Sequence, residues 1–138
     1  DYIREECIDA GLDMKLVLAI MKVESNFNPE DISCTDDFGL MQVNKINFEE
    51  VERELGLTNM LDPYQGAKAG IFLLSKLKWN ESEHQMLMAY NIGVAGAQKL
   101  WEQGIYETDY SKKVLKAKEL IGGTQYEITV FCDQESER

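Results

Sequence analysis

The stretch VESNFNPEDISCTDDFGLMQVN, residues 23–44, decides the fold, because it carries the end of an apolar helix into a polar loop. The helix is predicted over residues 14–25, where MKLVLAIMKVES has helical spacing of apolar residues. It ends before Pro29, since the residue preceding a proline avoids the helical region. Glu24 therefore stands near the end of an apolar helix.

Glu24 is unusual because its helical neighbours are apolar. The residues seven, four and three positions before it are Val17, Ile20 and Met21. Burial disfavours a charged carboxylate, and a helix C-terminus adds negative partial charge, so both effects are expected to raise its pKa. A raised pKa is what a general acid requires. Periodicity alone favours the other interpretation, in which Glu24 lies at the edge of the apolar helix face and its carboxylate reaches water.

The rest of the chain predicts one mainly α domain of six or seven helices. Ser, Asp and Pro residues at predicted helix starts, and Gly residues after predicted ends, mark the boundaries. The predicted helices cover residues 2–10, 14–25, 44–55, 62–78, 82–91, 94–103 and 108–121. TQYEITVF, residues 124–131, alternates and favours a short strand or an extended arm. We therefore expect a domain over residues 1–123 and a C-terminal extension or tail over 124–138.

Charge and hydropathy limit the partners. The chain has 138 residues and a formal net charge of -11, which disfavours nucleic acid and anionic membrane surfaces. No apolar run reaches the length that spans a bilayer. The sequence starts at Asp1, without an initiator methionine or a signal segment, so we expect a mature or excised domain.

Cysteine usage predicts neither a metal nor a cofactor site. Cys7, Cys34 and Cys132 have no metal-ligand spacing, and His84 is the single histidine. We interpret the cysteines as structural residues. One disulfide with one thiol left over remains open and would indicate an exported protein.

Four separated blocks of sequence resemble the catalytic domain of soluble lytic transglycosylases, which are lysozyme-like enzymes that cleave peptidoglycan. The blocks occur in the family's order: ESNFNP at 24–29 with GLMQ at 39–42, LDPYQGAKAGIFLL at 61–74, AYNIG at 89–93, and ETDYSKKV at 107–114. Two positions depart from the family pattern. Gly66 stands where asparagine is usual, and Leu73 stands where tyrosine is usual.

The resemblance implies a goose-type lysozyme/lytic transglycosylase fold and a single catalytic carboxylate. Glu24 is expected to protonate the bond between N-acetylmuramic acid and N-acetylglucosamine, and then to act as a base that closes a 1,6-anhydro ring. No water is consumed, so the enzyme is a lyase. The expected partner is the peptidoglycan glycan strand, the expected location is extracytoplasmic, and membership of a larger cell-wall protein is left open.

The resemblance also implies the residues that hold the sugar. Gln42 and Asn91 offer amide groups, and Tyr110 is expected to orient Glu24. The remaining positions expected near substrate are Tyr90, Met41, Ser33 and Ser25. Of these, both serines are equally interpreted as local loop contacts, and Met41 as a core residue.

Two other functions remain open at this point. A hydrolytic muramidase would use Asp36 or Asp37 as a second carboxylate that activates water. Asn44 argues against a hydrolytic muramidase, because goose-type lysozymes tend to carry an aspartate at this position and an amide cannot act as a general base. A non-catalytic glycan-binding or envelope-assembly domain is the other alternative, since fold does not guarantee chemistry.

Three further side chains invite a role. Trp79 and Trp101 lie outside the matched blocks, and we interpret both as helix-packing residues rather than sugar-stacking ones. His84, beside Glu83, is expected on an exposed polar face without a catalytic task.

Overall fold

The computed structural model describes residues 2–122, and within this range the mainly α class is confirmed. The seven α-helices are α1 (Tyr2–Ala10), α2 (Met14–Ser25), α3 (Phe48–Leu55), α4 (Pro63–Ser75), α5 (Glu83–Ile92), α6 (Val94–Glu102) and α7 (Asp109–Gly122). Two short strands, β1 (Asp37–Phe38) and β2 (Val43–Asn44), and a 3-10 turn, Lys45–Asn47, lie between α2 and α3. The predicted helices are all present, with ends shifted by up to four residues, the largest shift being at the start of α3, where the 3-10 turn precedes the helix.

Helix α2 forms the centre of the core. The six consecutive residues from Leu16 to Met21 are each at most 2% exposed, which is the pattern of a helix covered on all sides. Helix α7 packs along α2, and α5 packs against both α6 and α7. Helix α1 contacts α2 and α4. The helix that carries Glu24 is thus fixed by its neighbours along most of its length.

The predicted helix starts have the expected caps. Asp13 accepts a hydrogen bond from the backbone N–H of Lys15 at the start of α2. Asp62 accepts one from the backbone N–H of Gln65 at the start of α4, with Pro63 in the first helical position. Side-chain caps of this kind stabilise a helix by roughly 1 kcal/mol each.

The polar loop after α2 contains a small antiparallel sheet that the sequence did not predict. Strands β1 and β2 pair Asp37 with Asn44 and Phe38 with Val43. Two residues per strand are too few to show an alternating pattern. The pairing encloses GLMQ in a tight connection and brings the side chains of Asp37 and Asn44 together.

Two glycines allow the chain before α4 to approach the GLMQ segment. A Cβ atom on Gly39, whose φ is +82°, would lie 2.1 Å from the carbonyl oxygen of Met60. A Cβ atom on Gly66 would lie 2.6 Å from the same oxygen. The departure from asparagine at position 66 is explained by this approach, because any side chain there would displace backbone.

Some predictions concern residues outside 2–122, and others concern the cysteines within this range. The predicted strand at 124–131, the division at residue 123 and Cys132 lie outside the described residues. Cys7 is buried in the core, as a structural cysteine would be, whereas Cys34 is exposed in the loop and does not pack in the core. Within residues 2–122, none of the helices combines the length and the apolarity needed to cross a membrane.

Candidate active site

Glu24 lies in the last turn of α2, at the point where the chain turns sharply. Asn26 adopts the left-handed conformation that ends the helix, and Phe27, with φ of 62°, is fully buried behind it. The turn carries the chain away from the axis of α2 and leaves the Glu24 side chain, partly buried, at the wall of a cleft.

Tyrosines from two other helices surround this carboxyl group. The hydroxyl of Tyr110, on α7, donates a hydrogen bond to Oε2 of Glu24 over 2.8 Å. The hydroxyl of Tyr90, on α5, donates to the carbonyl oxygen of Met41 over 2.8 Å. Burial and the charge of Glu24 raise the pKa of both hydroxyls well above the ordinary value. Both therefore remain donors at any pH near neutrality.

The environment keeps Glu24 protonated to an unusually high pH. The pKa of Glu24 is raised from 4.5 to about 7. Burial is the main cause, the charge of Asp37 also raises the pKa, and the hydrogen bond from Tyr110 lowers it. A carboxyl group with a pKa near neutrality is suited to give up a proton and to take one back.

Asp37 is the second carboxylate of the site, and its surroundings have the opposite effect. Partial burial would raise its pKa, but hydrogen bonds from Thr35, Asn44 and Ser33 outweigh burial and lower it. Ser33 and Thr35 donate to Oδ2 over 2.8 and 2.6 Å, and Asn44 donates to Oδ1 over 2.8 Å. Asp37 is thus a fixed negative charge at the same cleft as Glu24.

The cleft has a volume of about 630 Å³, within the range of small-molecule sites. Its polar and charged lining residues are Glu24, Asp37, Gln42, Asn44, Asn47, Glu50, Lys76 and Asn91. Its apolar lining residues are Val43, Ile46, Leu73, Leu77, Trp79, Ala89, Tyr90, Ile92 and Val94, with Gly93 between them. Within residues 2–122, no group of three or more His, Cys, Asp or Glu side chains is placed to hold a metal ion.

The two predicted amide residues both reach this cleft. Gln42 has φ of 52°, and its Nε2 donates to the carbonyl oxygens of Asp31 and Gly39 over 3.1 and 3.0 Å. Both bonds hold the side-chain amide through its nitrogen. Asn91 is exposed on the last turn of α5. The geometry brings Glu24, Gln42, Tyr90 and Asn91 to one surface, while their roles toward a substrate remain predictions.

Three residues that were expected near substrate are not among those that line the cleft. Met41 is fully buried, packed where Gly70 leaves room, since a Cβ atom on Gly70 would lie 2.4 Å from its sulfur. Ser25 is buried, and its hydroxyl donates to the carbonyl oxygens of Leu40 and Met21. Ser33 acts on Asp37 rather than lining the cleft. Ser25 and Ser33 thus make the local contacts that the sequence also allowed, and Met41 lies in the core, which was the alternative for it. Contact of these three residues with substrate stays a prediction.

Of the side chains Trp79, Trp101 and His84, the first and the last differ from the prediction. Trp79 is 59% exposed and lines the cleft, so it is not a packing residue. Trp101 does pack, in the cluster between α5 and α6. The His84 side chain is only 27% exposed, because its Nδ1 lies 2.7 Å from the Ser111 hydroxyl, between α5 and α7.

The contact between His84 and Ser111 is part of a hydrogen-bond network at the start of α7, next to Tyr110. Ser111 is fully buried, accepts from the backbone N–H of Thr108 over 2.9 Å and donates to the carbonyl oxygen of Thr108 over 3.1 Å. The Thr108 hydroxyl in turn accepts from the backbone N–H of Ser111. This reciprocal cap fixes the first turn of α7, in which Tyr110 stands.

Comparison with known proteins gives a consistent result. The chain is 27% identical to membrane-bound lytic murein transglycosylase C of Photorhabdus laumondii over 91% of its own length and 38% of that protein. It is 33% identical to a transglycosylase of Enterobacteria phage PRD1 over 82% of its own length and 40% of that protein. The chain therefore spans about two-fifths of the length of these curated relatives.

A solved structure has the same fold. The lytic transglycosylase Slt of Pseudomonas aeruginosa, crystallised as an inactive mutant, matches with a TM-score of 0.73 over 87% of this chain and 23% of that chain. At 22% identity the match confirms the predicted lysozyme-like fold. The transglycosylase SLT domain pattern matches residues 1–114, which include Glu24, the GLMQ segment, Asn91 and Tyr110. By this match over most of its length, the chain belongs to the transglycosylase SLT domain family.

Proposed function

We propose that this chain is a peptidoglycan lytic transglycosylase that cleaves the bond between N-acetylmuramic acid and N-acetylglucosamine without consuming water. The observation that carries the proposal is Glu24 itself. It lies at the cleft, accepts a hydrogen bond from Tyr110 and has a pKa raised to about 7 by burial. The names of the relatives and membership of the family support the same reaction.

In the first step, Glu24 acts as the general acid. Its carboxyl proton passes to the glycosidic oxygen as the bond from that oxygen to C1 of the muramoyl sugar breaks. The acetamido carbonyl oxygen of the same sugar attacks C1 and takes up the positive charge. The Tyr110 hydroxyl, which donates to Oε2 of Glu24, stabilises the carboxylate that this step leaves behind.

In the second step, Glu24 acts as the general base. Its carboxylate removes the proton from the 6-hydroxyl of the muramoyl sugar, whose oxygen attacks C1 and displaces the acetamido oxygen. The products are a 1,6-anhydro end and a free 4-hydroxyl, and Glu24 regains its proton. General acid–base catalysis of this kind contributes about 10²- to 10⁴-fold to a rate.

The state of Asp37 supports this route over hydrolysis. A hydrolase needs a second carboxylate that accepts a proton from water, and Asp37 is the candidate, because Asp36 is exposed and does not line the cleft. Three side-chain donors already occupy the Asp37 oxygens and lower its pKa. A carboxylate stabilised in its charged form is a weak base.

Digestion of purified peptidoglycan tests the proposal. Mass spectrometry of the soluble muropeptides should give 1,6-anhydro ends, which are lighter by one water than reducing ends. Glu24→Gln, which keeps the shape of the side chain, should lose about 10²- to 10⁴-fold in rate. The exposed Glu52→Gln on α3 is the matched control.

The other outcomes identify the alternatives. Reducing-end products would replace the proposal with a hydrolytic muramidase that uses Asp37. Intact strands bound without any soluble product would replace it with a non-catalytic glycan-binding domain.

The proposed substrate also sets the setting in which the chain acts. Peptidoglycan lies outside the cytoplasmic membrane, so we place the activity in an extracytoplasmic compartment. The two curated relatives named above are longer than this chain, and the one from Photorhabdus laumondii is described as membrane-bound. We infer that the domain works as part of a larger cell-wall protein.

A further inference from the structure

The loop between α4 and α5 places a large aromatic side chain in the cleft. Trp79 is 59% exposed and lines the cleft, although it lies in no sequence block shared with the family. Exposed aromatic residues outside the cleft also occur, and Tyr106 is 53% exposed without lining it. Exposure alone therefore does not single out Trp79; its position does.

Trp79 belongs to an apolar group on the cleft wall. Ile46, from the 3-10 turn, is 84% exposed, and Ile92, from the end of α5, is 44% exposed. Both line the same cleft as Trp79, and the three come from three separate segments. Large apolar side chains gathered on one concave surface, rather than scattered singly, mark a binding site.

Polar groups beside this surface match a sugar better than an apolar ligand. Asn47 is the last residue of the 3-10 turn that carries Ile46, and Asn91 directly precedes Ile92 in α5. Both asparagines line the cleft. A pyranose ring has an apolar face of C–H groups and an edge of hydroxyl and acetamido groups. An indole plane contacts the former, and amide side chains bind the latter.

Charge at this wall favours a neutral group. Lys76, three residues before Trp79, forms an ion pair with Glu50, and both line the cleft. The lysine is therefore already paired, and the protein carries a formal net charge of -11. A neutral N-acetylhexosamine ring fits this surface better than the anionic stem peptide of peptidoglycan.

We propose that Trp79 is a stacking platform for an N-acetylhexosamine ring of the bound glycan strand, flanked by Ile46 and Ile92. The inference rests on the proposed glycan-cleaving function and adds a subsite to it. Glu24 lies on α2 and its hydrogen-bond donor Tyr110 on α7, whereas Trp79 lies in the loop between α4 and α5. Glu24 and Trp79 line the same cleft from different elements, so we expect the platform to hold another ring of the strand and to act on binding rather than on the chemical step.

The test compares Trp79→Ala, Trp79→Phe and, as a matched control, the exposed aromatic Tyr106→Ala. Binding of peptidoglycan oligosaccharides of increasing length is measured in the Glu24→Gln background, and kcat and KM are measured with Glu24 intact. We expect Trp79→Ala to weaken binding of the longer oligosaccharides and raise KM about tenfold, with kcat nearly unchanged. Trp79→Phe should restore part of the affinity, and Tyr106→Ala should match the unmodified chain.

Fluorescence gives an independent readout, because Trp79 is exposed and Trp101 is packed between α5 and α6. Oligosaccharide binding should shift the emission to shorter wavelength, and Trp79→Phe should abolish the shift. If the enzyme is active but Trp79→Ala changes neither KM nor the dependence of binding on oligosaccharide length, the proposed subsite is wrong and the proposed cleavage stands. Absence of anhydro products together with binding that depends on Trp79 would reject the proposed cleavage and support the subsite. Loss of both binding and cleavage in the unmodified chain would overturn both.

Discussion

The hydroxyl of Tyr110 lies 2.8 Å from Oε2 of Glu24 and joins the last turn of α2 to the first turn of α7. This hydrogen bond lowers the pKa of Glu24, whereas burial and the charge of Asp37 raise it, and the net result is a value of about 7. The three effects arise from different parts of the fold, so each can be removed separately. Removing one effect should therefore change the pKa of Glu24 in the direction that belongs to that effect.

Glu24→Gln should stabilise the protein, and the gain should depend on pH. The folded pKa of about 7 lies above the ordinary 4.5, so the folded state loses stability as pH rises from 4.5 to 7. An amide does not ionise, so the variant escapes that loss. Urea unfolding should show no difference near pH 4 and a gain of up to about 3 kcal/mol above neutrality. Glu52→Gln should show no such trend; a gain for Glu24→Gln that is equal at every pH would contradict the burial argument.

Tyr110→Phe should slow the reaction and move its pH dependence. The hydroxyl donates to the charged carboxylate, so its loss raises the pKa of Glu24 and makes the carboxylate formed in the first step less stable. The alkaline limb of kcat/KM should move to higher pH, while the rate falls by roughly tenfold or more. Tyr106→Phe, an exposed tyrosine outside the cleft, is the control. An unmoved alkaline limb would show that Tyr110 does not act on Glu24.

Asp37→Asn should move the pH profile the other way. The negative charge of Asp37 raises the pKa of Glu24, so its removal lowers that pKa and shifts the alkaline limb of kcat/KM to lower pH. Titratable neighbours that stay in place are Tyr90 and Tyr110. The anhydro products should persist, with a loss in rate below about tenfold, because Asp37 is not the base.

Asp36→Asn is the control for that experiment, since Asp36 is exposed beside Asp37 and does not line the cleft. If hydrolysis through Asp37 were the reaction, Asp37→Asn would instead abolish activity, and the unmodified enzyme would leave reducing ends. The direction of the pH shift and the mass of the products thus give two separate tests of one interpretation.

The sequence predicted the helices and the main catalytic candidate because both depend on local pattern. Capping residues such as Asp13 and Ser82 bond to backbone one turn away, so their effect is readable from adjacent positions. The apolar neighbours of Glu24 follow from helical periodicity alone. The burial that raises its pKa also needs the packing of α7 against α2, which periodicity does not show.

Features that depend on contacts between distant segments were missed. The support for Asp37 needs Ser33, Thr35 and Asn44 together, and only the β1–β2 pairing brings Asn44 to it. Trp79 lies outside the matched blocks and was therefore predicted to pack between helices, whereas its exposure at the cleft depends on where the loop between α4 and α5 lies. For Met41 the sequence left open whether it lies near substrate or in the core; it is fully buried, whereas its neighbour Gln42 lines the cleft.

Gly66→Ala should destabilise the protein, in contrast to Gly96→Ala. At position 66 a Cβ atom would lie 2.6 Å from the carbonyl oxygen of Met60, so backbone must move, at a cost of about 1–3 kcal/mol. At position 96, in α6, the nearest atom lies at an ordinary 3.5 Å, and alanine should add roughly 0.5–1 kcal/mol through lower unfolded-state entropy. Thermal unfolding measures whether Gly66→Ala lowers the stability and Gly96→Ala raises it.

The same Met60 oxygen approaches Gly39, so Gly66→Ala should also displace the GLMQ segment and raise KM. Equal stability of the two variants would mean that the chain around Met60 yields freely, and that Gly66 is not required by this approach.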